Sequence, residues 1–265
     1  MRALACPALL LCLLLGSTAA QAACESGLAE RMQARLYPNR SLDHGLAACK
    51  AWPAFAGRSI VVLPLQPLEE PAMPTGQRSL DLAVLLIQRP DNGNTERDAV
   101  IAQSYQSAAL VESGAALQEL RIDTSRFLLA TGQRAFGLRA RYRGDELAAP
   151  FASESLRLYL PQGKKILEVL AETEMDRDSG RWDLQCDGQF ERLRSQLSVD
   201  AEPGQRWADL VIARTLTPSR ARLQPDGQCL EHTGPSRHTP LRLRHDGQGY
   251  ATPAPAKSAA LKSPR

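Results

Sequence analysis

The sequence predicts a mainly β protein: antiparallel sheets, sandwich-like and divisible into two β modules, behind a short N-terminal helical segment. Three observations predict it. Phe136, Leu138, Ala140 and Tyr142 alternate with Gly137, Arg139, Arg141 and Arg143, the period-2 pattern of a strand with one face buried and one in water. Most strand-like runs after Arg58 are separated by only two to ten residues, which leaves no room for crossover helices. Turn dipeptides punctuate them: Asn92-Gly93, and three copies of one Asp-Gly-Gln turn at Asp187–Gln189, Asp226–Gln228 and Asp246–Gln248.

Taken in order, the chain opens with Arg2, an apolar run from Ala3 to Leu15, and small residues ending in Ala20-Gln21-Ala22. This reads as a secretory signal peptide over 1–22, cleaved after Ala22. No later segment approaches the roughly 20 apolar residues of a membrane helix, so a soluble, non-spanning mature protein is expected. Residues 23–57 read as helical. Leu28, Met32 and Leu36 share one face, Tyr37-Pro38 ends that helix, and Ser41 or Asp43 is placed to cap a second one carrying Leu46, Cys49 and Trp52.

Strand signals fill 58–250. Ser59–Leu63 is β-branched, and Leu80–Gln88 is apolar enough for a central strand whose partner returns through Ala99 to Tyr105 after the Asn92-Gly93 turn. Ala108–Leu120 reads as a helical turn or a loop, with nothing in the pattern to choose between them. Further strands are expected at Leu120–Asp123, Arg134–Arg143, Ser155–Leu160, Lys165–Thr173, Glu191–Val199, Ala208–Arg214, Ala221–Gln224 and Leu241–Arg244. The polar run Asp176–Gly180 reads as a break between submodules 58–178 and 180–250. Residues 251–265 hold Pro, Ala, Ser and Lys without an acid, the composition of a disordered basic tail.

The formal net charge is +3, and loss of Arg2 with the leader leaves +2, which gives no reason to invoke nucleic acid. The high Arg, Ala and Leu usage points to a GC-rich bacterial genome and a periplasmic destination. Of six cysteines, Cys6 and Cys12 leave with the leader. The remaining four read as disulfides in an oxidising compartment, paired Cys24–Cys49 and Cys186–Cys229, because each pair lies within one segment. Acylation of Cys24 as a lipid anchor is the alternative address.

No Gly-x-Ser-x-Gly elbow, phosphate-cradling glycine pattern or His-Glu-x-x-His helix occurs. His232, His238 and His245 are spaced unlike any standard zinc set, and His44 stands alone. Asp91–Asp98 has calcium-type oxygens without the EF-hand alternation, so a hairpin turn explains it. No metal and no cofactor is implied. Arg139, Arg141, Arg143 and Arg157 read as one side of the sheet near Glu168, Glu172 and Glu174. They are either a solvated ladder or a strip facing an anionic envelope component or an acidic protein partner.

The run Ile122–Arg139 resembles a segment of exported, functionally uncharacterised proteobacterial proteins. Pro150–Leu156, Arg181–Cys186 and Ala208–Leu210 continue the likeness. The resemblance implies one extended β-rich unit and a periplasmic address, and no activity. The expectation is thus a periplasmic, non-enzymatic binding or interaction protein, such as an inhibitor or immunity-type partner. The alternative is a cell-envelope hydrolase whose site is assembled from distant residues.

Overall fold

The computed structural model describes residues 27–68, 77–89 and 98–252. The chain is mainly β; its described residues form one helix and a single twelve-stranded sheet that is almost wholly antiparallel. The signal segment, Cys24, the Asn92-Gly93 turn and the C-terminal basic segment lie outside the described residues.

Helix α1 (Leu28–Leu36) follows Gly27, whose φ of 86° is left-handed. Its buried Leu28, Ala29 and Met32 sit on Val61, Leu63, Ala83, Leu85 and Ile87. The Gln33 side chain closes the helix end by donating to the carbonyls of Tyr37 (3.0 Å) and Arg40 (2.7 Å). The expected second helix is not formed. Asp43 caps only a turn, and Ala48–Ala51 is strand β1, antiparallel to β2 (Arg58–Leu65). The strand wins because β2 has an edge whose backbone groups need partners. It also delivers Trp52 into the core while Cys49 faces α1.

β3 (Gln77–Gln88) pairs with β2 and explains its own apolarity, since both of its faces are covered. Leu80, Leu82, Val84 and Leu86 point inward, while Ala83, Leu85 and Ile87 point out toward α1. β4 (Ala99–Ser113) and β5 (Ala116–Ala130) follow, turning at Gly114. The pattern between Ala108 and Leu120 has no readable period because β4 bulges there. Leu80 faces Leu110 and Leu82 faces Gln106, so Ser107, Ala108 and Ala109 stand opposite Asp81 alone. Ala108 adopts φ 47°, and its N–H donates to Asp81 Oδ1 at 2.7 Å.

β6 (Gln133–Arg143), β7 (Phe151–Gln162) and β8 (Lys165–Trp182) complete the order β1-β2-β3-β4-β8-β7-β6-β5. Residues from β2 through β8 share one core with Leu46 and Trp52, so the sheet curls around it. The curl brings β5 back to β1, where Lys50 Nζ donates to the Ile122 carbonyl at 3.2 Å.

β8 runs unbroken through Asp176–Gly180, so this polar run is strand and not a break in the strand pattern. Its charges are absorbed by ion pairs, Arg177 with Glu174 and Asp178 with Arg192 and Arg194. Gly180 lies under the Phe190 ring, where a Cβ would approach within 2.2 Å. β8 then pairs with β9 (Gly188–Asp200), β9 with β10 (Asp209–Leu223), and β10 along its far edge with β11 (Cys229–Thr233) and β12 (Arg237–Leu243). Leu210, Ile212 and Leu243 pack this second layer on the outer side of Leu156, Leu158 and Leu160.

The bond Cys186–Cys229 is formed and ties β11 to the turn before β9. Cys49 is disulfide-bonded, and Cys24, its expected partner, lies outside the described residues. No helix among the described residues is long and apolar enough to cross a membrane.

Asp81 is the anchor of the bulge. Burial opposes its charge, but the Tyr105 hydroxyl (2.6 Å), the Ala108 N–H and the Arg40 guanidinium outweigh it, holding the carboxyl below its ordinary value of 3.8. Replacing Asp81 by Ala strands Arg40 in a largely buried position, so we predict a loss of about 3–5 kcal/mol, read as a lower urea midpoint. A depressed carboxyl stabilises the fold above its unfolded value. The gap between wild type and Asp81→Ala therefore narrows as pH falls below 3.8.

Candidate functional site

The wall of the curled sheet is open in two places among the described residues: where β5 returns to β1 without backbone pairing, and at the seam between β4 and β8. β4 and β8 run parallel and meet in a single bridge, Gln103 with Lys165, with the Gln103 N–H donating to the Lys164 carbonyl at 3.1 Å. Beyond it the backbone ladder stops and side chains span the gap from inside. Gln106 Nε2 donates to Glu168 Oε2 at 2.7 Å. Arg157 donates to Glu168 Oε1 (2.9 Å), Glu172 Oε2 (2.7 Å) and the Ala109 carbonyl of the bulge (2.6 Å). Ser155 Oγ donates to Glu172 at 2.7 Å, and the Tyr159 hydroxyl reaches Gln106 at 3.3 Å.

Arg157 is only 9% exposed. Burial works against its charge, yet Glu172 and Glu168 more than compensate and raise its pKa above the ordinary value. The Tyr159 phenol is pushed up by burial and then by Glu168, and Tyr142 by burial and then by Glu172. Both phenols stay neutral at every physiological pH.

Outside this polar floor is a cleft of about 650 Å³. Ser104, Tyr105 and Gln106 of β4 border it on one side, and Ile166 to Val169 of β8 on the other. A hairpin from His245 to Tyr250 forms its outer wall. The His245 ring stacks on Trp207 at 4.1 Å and 5°, and meets Tyr250 edge-on at 4.9 Å. The Tyr250 N–H donates to the Val169 carbonyl (2.7 Å) and its hydroxyl to the Ala208 carbonyl (2.7 Å), while burial pushes the phenol up to about 12. Asp246 Oδ1 accepts from the N–H groups of Gln248 and Gly249, so this Asp-Gly-Gln copy is a working turn. Gly249 is required there, because a Cβ would sit 2.7 Å from the Val169 carbonyl oxygen.

No protein family, no curated protein and no solved structure matches the chain.

The arginines expected to share one side of the sheet do not. Arg139 is opposite Leu156 whereas Arg157 is opposite Leu138, so their side chains lie on opposite faces. Arg139 binds Asp123 (2.9 Å) and Glu154 (2.7 Å), and Arg141 binds Glu119 (3.1 Å) and Glu154 (3.5 Å). Arg143 is exposed at the strand end. Of the acids expected nearby, Glu168 and Glu172 meet Arg157, and Glu174 meets Arg177.

The histidines are dispersed. His44 pairs with Glu30 at 3.2 Å, His238 bonds Thr215, and His232 lines a smaller groove of about 390 Å³ beside Arg181 and Arg220. Among the described residues no three potential ligands converge on a metal position. Trp207 and Tyr250, which shape the cleft, belong to no sequence pattern; a lone tryptophan in the polar stretch before β10 is the one available signal.

Two predictions test the site. Arg157→Leu leaves the half-buried Glu168 and the exposed Glu172 without their shared cation, and we expect it to cost about 1–3 kcal/mol. Adding Glu168→Gln and Glu172→Gln should regain part of that loss in the same denaturant experiment. For His245, burial lowers the pKa below its ordinary 6.5, with Arg206 acting in the same direction and Asp246 opposing. Its Nδ1 accepts the Gly247 N–H at 2.9 Å, which also requires the neutral ring. Folding thus favours neutral His245, so its contribution is complete above pH 6.5 and is lost as pH falls through 6.5 toward the folded value. His245→Phe should flatten the melting temperature against pH in that window relative to wild type.

Proposed function

We propose that the protein is an exported, non-enzymatic binding protein that takes its ligand in the cleft between β4 and β8. The observation that carries the reading is the parted seam. A curled sheet that could close with backbone hydrogen bonds instead keeps two strands apart, braces them with a buried cation, and leaves a preformed space between them. Ligand pockets fall in the range of roughly 300–1,000 Å³, with mostly apolar and aromatic walls and a few polar groups that fix orientation. This cleft falls in that size range and sets the apolar and aromatic Ile166, Leu167, Val169, Trp207 and Tyr250 beside a comparable share of polar groups, among them Gln106, Glu168 and the Tyr159 hydroxyl.

The Cys186–Cys229 bond supports an oxidising, extracytoplasmic address, as do the leader-like start and the resemblance of Ile122–Arg139 to exported proteins. The paired state of Arg139 and Arg141 removes much of the attraction those residues would hold for an outside anion. His245, the base nearest the cleft, has one ring nitrogen committed to the Gly247 N–H and one ring face stacked on Trp207, which favours binding over hydrolysis.

The test is native mass spectrometry of the folded protein after exposure to the low-mass fraction of its own cells. A discrete adduct is expected on wild type. It should fall about tenfold or more in Ala171→Trp, which places a large ring at an exposed position on the cleft margin. Absence of any adduct, or equal adducts on both proteins, refutes the assignment.

A further inference from the structure

The cleft has one property that a generic pocket lacks: one of its sides is the open edge of a strand. β4 is hydrogen-bonded to β3 along nearly its whole length, from Ala99–Gln88 to Ser113–Gln77. Among the described residues its opposite edge is bridged to β8 only at Gln103. Ser104, Tyr105 and Gln106, the residues immediately past that bridge, border the cleft. An unpaired edge offers alternating N–H and C=O groups and is a template for another strand.

The facing edge of β8 is not equally open. The Tyr250 N–H occupies the Val169 carbonyl, Gly249 is pressed against Val169, and β9 takes over from Arg177 onward. The free edge therefore belongs to β4.

From this geometry we propose that the cleft binds an extended peptide, which adds as a strand to the edge of β4; the proposal rests on the cleft being the binding site. Its side chains would alternate between two surroundings. Those pointing in would meet Gln106, Glu168 and the Tyr159 hydroxyl, and those pointing out would lie beside the exposed Tyr105, whose ring stacks with Tyr37 at 5.7 Å. Among the described residues the ionisable groups lining the cleft are Glu168, Asp246, His245, Tyr105, Tyr159 and Tyr250, with no Lys or Arg. A neutral or basic peptide is accommodated and an acidic one is not.

The test uses a short blocked peptide of alternating valine and threonine with lysine at its ends, and two copies of it. In each copy one alternate set of backbone nitrogens is methylated, so that one edge of the peptide strand loses its donors. Hydrogen exchange of the full-length protein is followed in residues 104–107, short of the bulge where Asp81 already holds the Ala108 N–H and Arg157 the Ala109 carbonyl. The unmodified peptide should slow exchange there about tenfold or more, because edge amides become paired. One methylated copy should lose that protection and the other should keep it, since only one edge of the added strand faces β4. No protection by the unmodified peptide, or equal behaviour of the two methylated copies, overturns strand addition. If Ala171→Trp still removes a small-molecule adduct while the peptide gives no protection, the cleft stands as a binding site and the peptide assignment falls. If neither experiment succeeds, both fall.

Discussion

The guanidinium of Arg157 is the crossbar on which the rest of this architecture depends. It reaches from β7 to two carboxylates of β8 and to a carbonyl of β4, and so ties together strands that the backbone leaves apart. A buried cation is tolerated where its charge is matched, and Glu168 and Glu172 match it while they and the Ala109 carbonyl accept from the two Nη groups, leaving Nε without a partner. The carbonyl it needs on β4 is made available by the bulge. There Asp81, on the far face, draws in the Ala108 N–H and displaces three residues of β4 against one of β3. An acid outside the curl and a base inside it are thus coupled across a single bulge.

This arrangement matters because most of the sheet is paired strand to strand in the ordinary way, the β1–β5 junction with its Lys50 side-chain bond excepted. β2 and β3 are buried on both faces, by the interior and by α1, and the outer side of β7 is covered by the layer that carries β10 and β12. Apolar burial on that scale makes the frame rigid. The seam between β4 and β8 is another place where the frame exchanges backbone pairing for side-chain chemistry. Binding surfaces belong in such places, since a strand edge without a partner and a polar group without a ladder both retain capacity for an incoming molecule.

The alternation of Arg139, Arg141 and Arg143 with Phe136, Leu138, Ala140 and Tyr142 is legible because a strand's period assigns residues to faces. What those arginines meet is not legible. Asp123, Glu119 and Glu154 arrive from β5 and β7 through the strand register, which no local pattern specifies. The same limit accounts for Arg157, which local reading places with the other arginines although one pairing step puts it on the opposite face. The Asp176–Gly180 run reads as a linker because its residues are polar and its glycine is conformationally free. In the fold those charges are paired across strands and the glycine admits the Phe190 ring.

By itself, the sequence determined the mainly β class, the apolar central strand at Leu80–Gln88, the amphipathic face of the first helix, two of the three Asp-Gly turns (Asp226 and Asp246, whereas Gly188 begins β9) and the Cys186–Cys229 pairing. These follow from periodicities and short-range stereochemistry that act within a few residues. Only the tertiary structure decided that 48–51 is a strand, that β8 runs through its polar stretch, and that β4 parts from β8 over a braced floor. Each of those depends on which edges and charges remain unsatisfied once distant strands have been brought together, and that quantity is not defined for any segment alone.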